Sequence, residues 1–576
     1  MPLIVSRPLS TKSICYIVII SSLVLINIYI LYTIYILPNL SPPSSSPQPK
    51  PSLPYDPPYY GVPYKRIVSS KRKYKSQIVD KYIQLKADTM TDKDLATLLK
   101  NCFPNTLDTT IDWYDLNNPY TFLITGDIPA MWIRDSTNQI LPYISFIGND
   151  EALKKLLLGV IFTQASFLEY DPYANAFLKP WYAKNAQDHA SMGRLLDKVI
   201  PQYDAQFVWE SKYELDSFGH FFQLSNEYMT ATGDVTSVIK NSNWIQAAER
   251  VLQVIRQQMK GTWELQNDGL IMKNGKHRIP RPINNTFTPL SKPDPLPIHH
   301  GYRFQRWTDR PTETLAGEGL GGVSKSCGLV RSAFRPSDDA TTFPYLIPAN
   351  AQLSVQLKKL GQIIRTSIHK HNYDDQQLDV NTINRLNDIA KRAQSIGDTI
   401  HEAIYQHAVI DHAIYGKIFA YEVDCYGSFI LMDDGNTPSL LSLPLLGFIQ
   451  RDDPLYQRTR QFLLSTNNPW YFESQINQLG NNSSTRFQGI GSPHTGYGMI
   501  WPMSILVQIQ TSTDEDEIKS CLDILKQLAA SSTDGYMVES FYKDDLTLFT
   551  RPWFSWVNGL FGSMIMDLDT RYPHLL

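Results

Sequence analysis

EALKKLLLGVIFTQASFL, from Glu151 to Leu168, is the stretch that decides the fold class. Its apolar residues Leu153, Leu156, Leu157, Val160, Ile161, Ala165 and Leu168 recur every three or four positions, which gathers them on one face of an α-helix. The same spacing returns in Trp244 to Met259, through Ala247, Ala248, Val251, Leu252 and Ile255. It returns again in Ala351 to Ile364, Ile383 to Tyr405 and Glu517 to Leu528. Ser512-x-x-Glu515 before the last of these has the spacing of a capping box. Strand-like runs such as Tyr302 to Trp307 and Phe429 to Met432 are too few for a β-dominated protein. The expected class is therefore all-α, with helices separated by long loops.

The N-terminal end reads differently. Ile14 to Leu37 contains no charged residue, and a membrane-spanning helix needs about 20 mostly apolar residues. Arg7 and Lys12 precede the run, so the positive charge lies on its N-terminal side and the remainder of the chain is expected in the lumen. Pro38 to Pro63 is rich in Pro and Ser, the composition of a stalk. The expected organisation is a cytoplasmic tail (1–13), a transmembrane signal anchor (14–37), a stalk (38–63) and a lumenal catalytic domain (64–576), in a single-pass type II membrane protein of the secretory pathway, with the Golgi as its station. With 53 basic and 56 acidic residues, a net charge of −3 offers polyanions nothing, and nucleic acid is excluded as a partner. Of five cysteines, Cys15 lies in the span, leaving Cys102, Cys327, Cys425 and Cys521, which allow two disulfides in three pairings. None has metal-ligand spacing. Asn284, Asn481 and Asn482 stand in glycosylation sequons.

Between the helices lie segments rich in Gly, Pro, Trp, Arg and Asp together, too polar for core and too aromatic for ordinary loops. Gly126-Asp-Ile-Pro-Ala-Met-Trp-Ile-Arg-Asp-Ser136 is one. An indole can cover the C–H face of a pyranose while carboxylates and a guanidinium take paired hydrogen bonds from its hydroxyls; an Arg–Asp bridge at a helix start is the plainer alternative. Arg331 to Ala340 carries Asp338-Asp339, whose side chains point apart on any regular backbone. Others are Tyr421 to Asp424 with Met432 to Asn436, Gly489 to Gly496 around His494, and Gly535 to Phe541 around the lone acid Glu539. In Trp209 to Ser217, a helix would put Glu210, Tyr213 and Glu214 on one side and Asp216 on another. Glycoside cleavage with inversion needs two carboxyls, one protonating the leaving oxygen and one activating water, and spacing alone does not select them.

Taken together, GDIPAMWIRDS, YELDS, FRPSDDA, YEVD with MDD and PSLLSLP, GIGSPHTG with IWPMS, and VESF with RPWFSWVNGLFG resemble glycoside hydrolase family 125 from about Thr91 onward. The resemblance implies an (α/α)6 barrel and a metal-independent, cofactor-free, inverting exo-α-1,6-mannosidase acting on mannose-containing glycans. Asp216 is then the general acid and Glu539 the general base, with Trp132, Arg134, Asp135, Arg335, Asp338 and His494 contacting the terminal mannose. Two other readings compete. A lumenal glycosyltransferase could use Asp433-Asp434 on a metal diphosphate, but the alternation of strands and helices typical of that class is missing. A non-catalytic mannan-binding protein would bind without turnover.

Overall fold

The computed structural model describes residues 56–180, 182–183, 197–267, 295, 301–371, 378–474, 487–531 and 534–576. The chain divides into two units, Met1–Asp56 and Pro57–Leu576, and the second holds everything that follows. Its helices are α1 (Gln77–Thr89), α2 (Lys93–Cys102), α3 (Ile133–Ile140), α4 (Glu151–Tyr170), α5 (Leu215–Thr232), α6 (Val235–Ile239), α7 (Ser242–Gln258), α8 (Thr262–Asn267), α9 (Ile347–His371), α10 (Val380–His407), α11 (Pro454–Leu463), α12 (Pro502–Thr511), α13 (Glu515–Ser531) and α14 (Ser555–Arg571).

The helices form two layers. In the inner layer α12 packs on α14, α14 on α3, α3 on α5 and α5 on α9; outside, α4 packs on α7 and α7 on α10. Inner helices are buried nearly all round: every residue of α12 is buried, and so are 13 residues of α5. The stripe that identified α4 is broader than one face, because from Leu156 to Tyr170 every residue is buried, between α7, α5 and the strand Tyr120–Leu123. The ring closes where the two ends of the unit meet. α14 packs against α2 and α3, the Thr91 N–H donates to the carbonyl of Leu576 at 2.7 Å, and Lys526 Nζ lies 2.8 Å from Asp92. A Cβ on Gly562 of α14 would come within 1.9 Å of the Phe103 ring, so that crossing requires glycine.

The expected helical architecture is present, with short strands added to it. Among the described residues, seven small sheets of two or three strands punctuate the helices, all antiparallel. Each pairs short loop segments and so fixes the loops around the site. The expected transmembrane helix is corrected, since no helix among the described residues is long and apolar enough to cross a membrane. The longest, α9 and α10 (25 and 28 residues), carry Lys358, Lys359, Arg365, Arg385 and Asp388 and pack on each other. The span proposed for Ile14 to Leu37 lies outside the described residues, and the single-pass membrane and Golgi assignments are withdrawn with it. Asn284, Asn481 and Asn482 also lie outside the described residues.

Two local details differ from the sequence reading. Asp514 takes the capping role at α13, accepting the Asp516 and Glu517 N–H groups, while Ser512 ends α12. Trp209 and Glu210 lie on a strand, Val208–Glu210, so Glu210, Tyr213 and Glu214 share no helical face. Cys327 and Cys425 form a disulfide, and Cys102 and Cys521 are buried thiols.

Gly562→Ala is expected to lower the unfolding free energy by about 1–3 kcal/mol, the usual cost of overpacking a filled contact. Urea unfolding followed by far-UV circular dichroism measures it, and an unchanged midpoint would show that the α14–Phe103 contact gives way freely.

Candidate active site

The loop Thr125 to Trp132 reaches the centre of the ring because Gly126 has φ +139° and sits where a Cβ would lie 2.1 Å from the Trp553 carbonyl. Only glycine fits both requirements. The Asp127 N–H donates to that carbonyl at 3.2 Å. Met131 and Trp132 then pair with Phe177 and Ala176, and α3 starts at once, placing Arg134 and Asp135 in its first turn.

A second segment comes from the opposite side. Glu214 bridges to Phe334 in a parallel pair; the Ala333 and Phe334 N–H groups donate to the Tyr213 carbonyl, and the Leu215 N–H donates to Ser332 Oγ. After this seam the chain turns tightly, with the Asp338 N–H on the Arg335 carbonyl and the Arg335 N–H on the Asp339 carbonyl. Asp338 adopts φ +72°, a left-handed conformation that costs a non-glycine residue roughly 1–2 kcal/mol. Lys212 Nζ holds its carbonyl at 2.8 Å.

The Arg134 guanidinium, 3% exposed, gathers these segments. It lies 2.5 Å from Glu214, 3.5 Å from Asp216, 3.3 Å from Asp338 and 3.5 Å from Asp135. Four carboxyls around one cation in a buried place cannot all be ionised cheaply. Burial pushes the Glu214 carboxyl well above the usual carboxylate range against the pull of Arg134, and Asp338, hydrogen-bonded to it, adds to the rise. Burial also works to raise Asp338, but Arg134 and Lys212 outweigh it and hold Asp338 below its usual range. The two neighbouring carboxyls are thus pushed in opposite directions, Glu214 toward its protonated and Asp338 toward its ionised form. Asp135 is pushed up to about 6 by burial, against the opposing pull of Arg134 and Arg551.

In front of Arg134 is a cavity that opens to solvent. Trp132, Trp501, Phe554 and Trp556 supply its aromatic walls, and Asp135, Asp338, Asn436, His494, Glu539 and Arg551 its polar ones. Glu539 is held by the small sheet of Met499–Ile500, Ser540–Tyr542 and Asp545–Thr550, its N–H donating to the Thr550 carbonyl. Arg551 Nη1 stands 3.6 Å from the Glu539 carboxylate, and the same guanidinium bonds Asp127 at 2.6 Å. Trp132 Nε1, Asn436 Nδ2 and His494 Nδ1 are buried polar atoms on this cavity without a hydrogen-bond partner among the described residues. Such atoms suit the hydroxyls of a sugar.

Of the residues singled out from the sequence, Trp132, Arg134, Asp135, Asp338, His494 and Glu539 meet in this cavity. Asp216 and Arg335 do not. Asp216 is 0% exposed and lies behind Arg134, 3.5 Å from His220. Arg335 is spent on Glu422 at 2.6 Å and lies over the Tyr421 ring, so it braces the wall instead of facing a sugar. Asp338 and Asp339 do point apart: Asp339 faces Ser337 and His494. Asp433 accepts the Leu440 and Leu441 N–H groups at 2.8 and 2.9 Å, and Asp434 accepts the Ser337 hydroxyl, which commits both to structure and leaves neither for a metal diphosphate. The part played by Arg551, and the pairing of Glu214 with Asp338, were not foreseen. Arg551 opens the RPWF motif, but nothing local in the sequence signalled its partners or the pairing of Glu214 with Asp338.

The family described as metal-independent alpha-mannosidase (GH125) matches residues 92–566. The "Meiotically up-regulated gene 157 protein" of Schizosaccharomyces pombe is 42% identical over 519 residues, spanning 89% of this chain and 90% of that protein. A solved Streptococcus pneumoniae structure, described as a metal-independent alpha mannosidase in a non-productive complex with α-1,6-mannobiose, aligns with a TM-score of 0.69 at 31% identity, covering 86% of this chain and 99% of that one.

Arg134→Leu is expected to cost about 3–5 kcal/mol of stability at neutral pH, because it strands buried carboxylates. Without the cation their folded pKa values rise above the unfolded ones, so the variant should regain stability as pH falls through the carboxylate range. Chemical denaturation at pH 7 and pH 5 tests this; a deficit independent of pH would locate the loss in packing.

Proposed function

Because the chain belongs to the metal-independent alpha-mannosidase family GH125, we propose that it is an inverting exo-acting mannosidase that removes a terminal, non-reducing α-1,6-linked mannose from a glycan. The observation that carries this reading is the cavity in front of Arg134, where aromatic walls, unpaired donors and two separate carboxyl groups, Asp338 and Glu539, meet. The α-1,6 linkage is supported by the sugar bound to the Streptococcus pneumoniae relative.

The carboxyl pair on the cavity differs from the pair suggested by resemblance alone. A general acid must reach the glycosidic oxygen, and Asp216 is not among the cavity-lining residues. Asp338 is, and beside it burial pushes the Glu214 carboxyl toward its protonated form. In the proposed mechanism the Glu214–Asp338 pair delivers its proton through Asp338 to the leaving oxygen. Glu539 removes a proton from the water that attacks the anomeric carbon from the other face. Trp132 and Trp556 cover the ring, and Arg134 and Asp135 take hydroxyls at the closed end. Asp216 balances the charge of Arg134 from behind.

Proton NMR of the purified protein with α-1,6-, α-1,3- and α-1,2-mannobiose in the presence of chelator tests the reading: β-mannose should appear first, and from the 1,6 substrate alone. Early α-mannose would refute inversion, and binding without release of mannose would identify a non-catalytic mannan-binding protein. Asp338→Asn and Glu539→Gln should each lower kcat by at least about 100-fold, the scale of general acid–base catalysis, and Asp216→Asn by less. The reverse order for the two aspartates would return the acid role to Asp216.

Glu214→Gln should move the alkaline limb of the kcat/KM profile to lower pH. Removing the partner carboxyl leaves Asp338 beside Arg134 and Lys212 alone, which favours its ionised form. An unmoved limb would mean that the essential acid is not coupled to Glu214.

A further inference from the structure

Behind the seam that joins Tyr213–Leu215 to Arg331–Phe334 lies a second, small cavity, separate from the candidate active site. Tyr213, Gln258, Tyr302, Leu320, Arg331 and Pro344 are among its walls. Arg331 is 6% exposed, and among the described residues no carboxylate pairs with it. Its contacts are one Nη2 hydrogen bond to the Leu320 carbonyl at 3.0 Å and the backbone bond from its N–H to Gln258. Among the described residues its Nε–H has no hydrogen-bond partner. Tyr213 is 1% exposed and its hydroxyl is equally unpaired.

Three other hydroxyls of the wall are already committed. Tyr302 donates to the Ser211 carbonyl, Ser332 to the Phe334 carbonyl and Thr341 to the Ser332 carbonyl. What remains is one uncompensated positive charge and two unspent donors in the lining of the same cavity. A water molecule would take the hydrogen bonds and leave the charge; buried cations are ordinarily neutralised by a partner.

We infer that Arg331 and Tyr213 form a binding site for a small monovalent anion of halide size, held by the guanidinium Nε–H and the phenol O–H. Both groups keep the necessary protons at ordinary pH. Burial raises the Tyr213 hydroxyl well above its usual range, and burial lowers Arg331 only from a very high value. The site takes a compact anion because a guanidinium charge, its unpaired Nε–H and a phenol O–H able to donate line one small cavity. Its occupant would brace the seam through which both Glu214 and Asp338 are positioned, since Tyr213 immediately precedes Glu214 and its carbonyl accepts the Ala333 and Phe334 N–H groups.

The test uses the full chain and does not depend on mannosidase activity. Thermal unfolding in sodium chloride and in sodium gluconate at equal ionic strength should show a saturable, chloride-specific rise in Tm. Crystals soaked in bromide should show an anomalous peak within hydrogen-bond distance of Arg331 Nε and the Tyr213 hydroxyl. Arg331→Gln should abolish the chloride-dependent part of the rise. Should that variant fail to fold, Tyr213→Phe, which keeps the ring packing, should raise the half-saturating chloride concentration about tenfold, the loss of one hydrogen bond to a charged group. Coincident chloride and gluconate curves, or bromide peaks elsewhere with none at this pair, would overturn the assignment.

Discussion

The guanidinium of Arg134 is buried in the first turn of α3, where the helix dipole disfavours a cation and little water can solvate it. It is tolerable there only because carboxyls from other parts of the chain converge on it: Glu214 and Asp216 from the start of α5, and Asp338 from the turn after the seam. Each segment depends on the same charge, so the position of any one of them depends on the other two. The convergence oversupplies negative charge, and the excess is relieved by leaving Glu214 protonated. In the mechanism proposed above, that proton is the one the reaction consumes, so the electrostatics that assemble the site also load it.

A second arrangement holds the other wall. Arg551 ties Asp127 to Glu539, while Gly126 lets the Asp127 loop lie directly on the Trp553 carbonyl. Glu539, the proposed base, therefore sits beside a short antiparallel sheet and Asp338, the proposed acid, on a tight turn, both lining one cavity. Inner helices fix the distance between the two supports, and the small sheets fix their orientation. A helical ring without those sheets would leave both carboxyls on unbraced loops.

The helices were legible in the sequence because burial on one side imposes a spacing of three and four, and α4, α7, α9 and α10 fall within or around the stretches that show it. The chemical segments were legible because Trp, Arg and Asp together suit neither core nor open surface. Roles within them were not legible. Asp216 and Asp338 look alike in sequence, and only the fold shows one behind Arg134 and the other on the cavity. Arg335 looks like a sugar contact until Glu422, 87 residues away, is found against it. The two-residue strands Met131–Trp132 and Ala176–Phe177 have no periodicity to detect, since pairing with distant partners creates them. The apolar run near the N-terminus lies outside the described residues, and no helix among those is long and apolar enough to cross a membrane.

Asp338 shows how much of the site is bought with backbone strain. Glycine would adopt φ +72° without cost, and a turn that served only to reverse the chain would be expected to use it. An aspartate there costs roughly 1–2 kcal/mol, and three contacts from outside its turn or across it hold it in place: Lys212 on its carbonyl, Arg134 on its carboxylate and the Arg335 carbonyl on its N–H. Two of those three neighbours are cations that also pull its carboxyl toward the ionised form, which by itself would make it a poor proton donor. Glu214 adds to that pull, because its hydrogen bond also favours the ionised Asp338, while burial drives the Glu214 carboxyl itself toward its protonated form beside it. Strain, cations and a protonated partner are thus needed together: remove the cations and the turn relaxes, remove Glu214 and the proton is lost. That interdependence is what distinguishes Asp338 from the other acids of the chain, and it follows from where the residue sits, not from its motif.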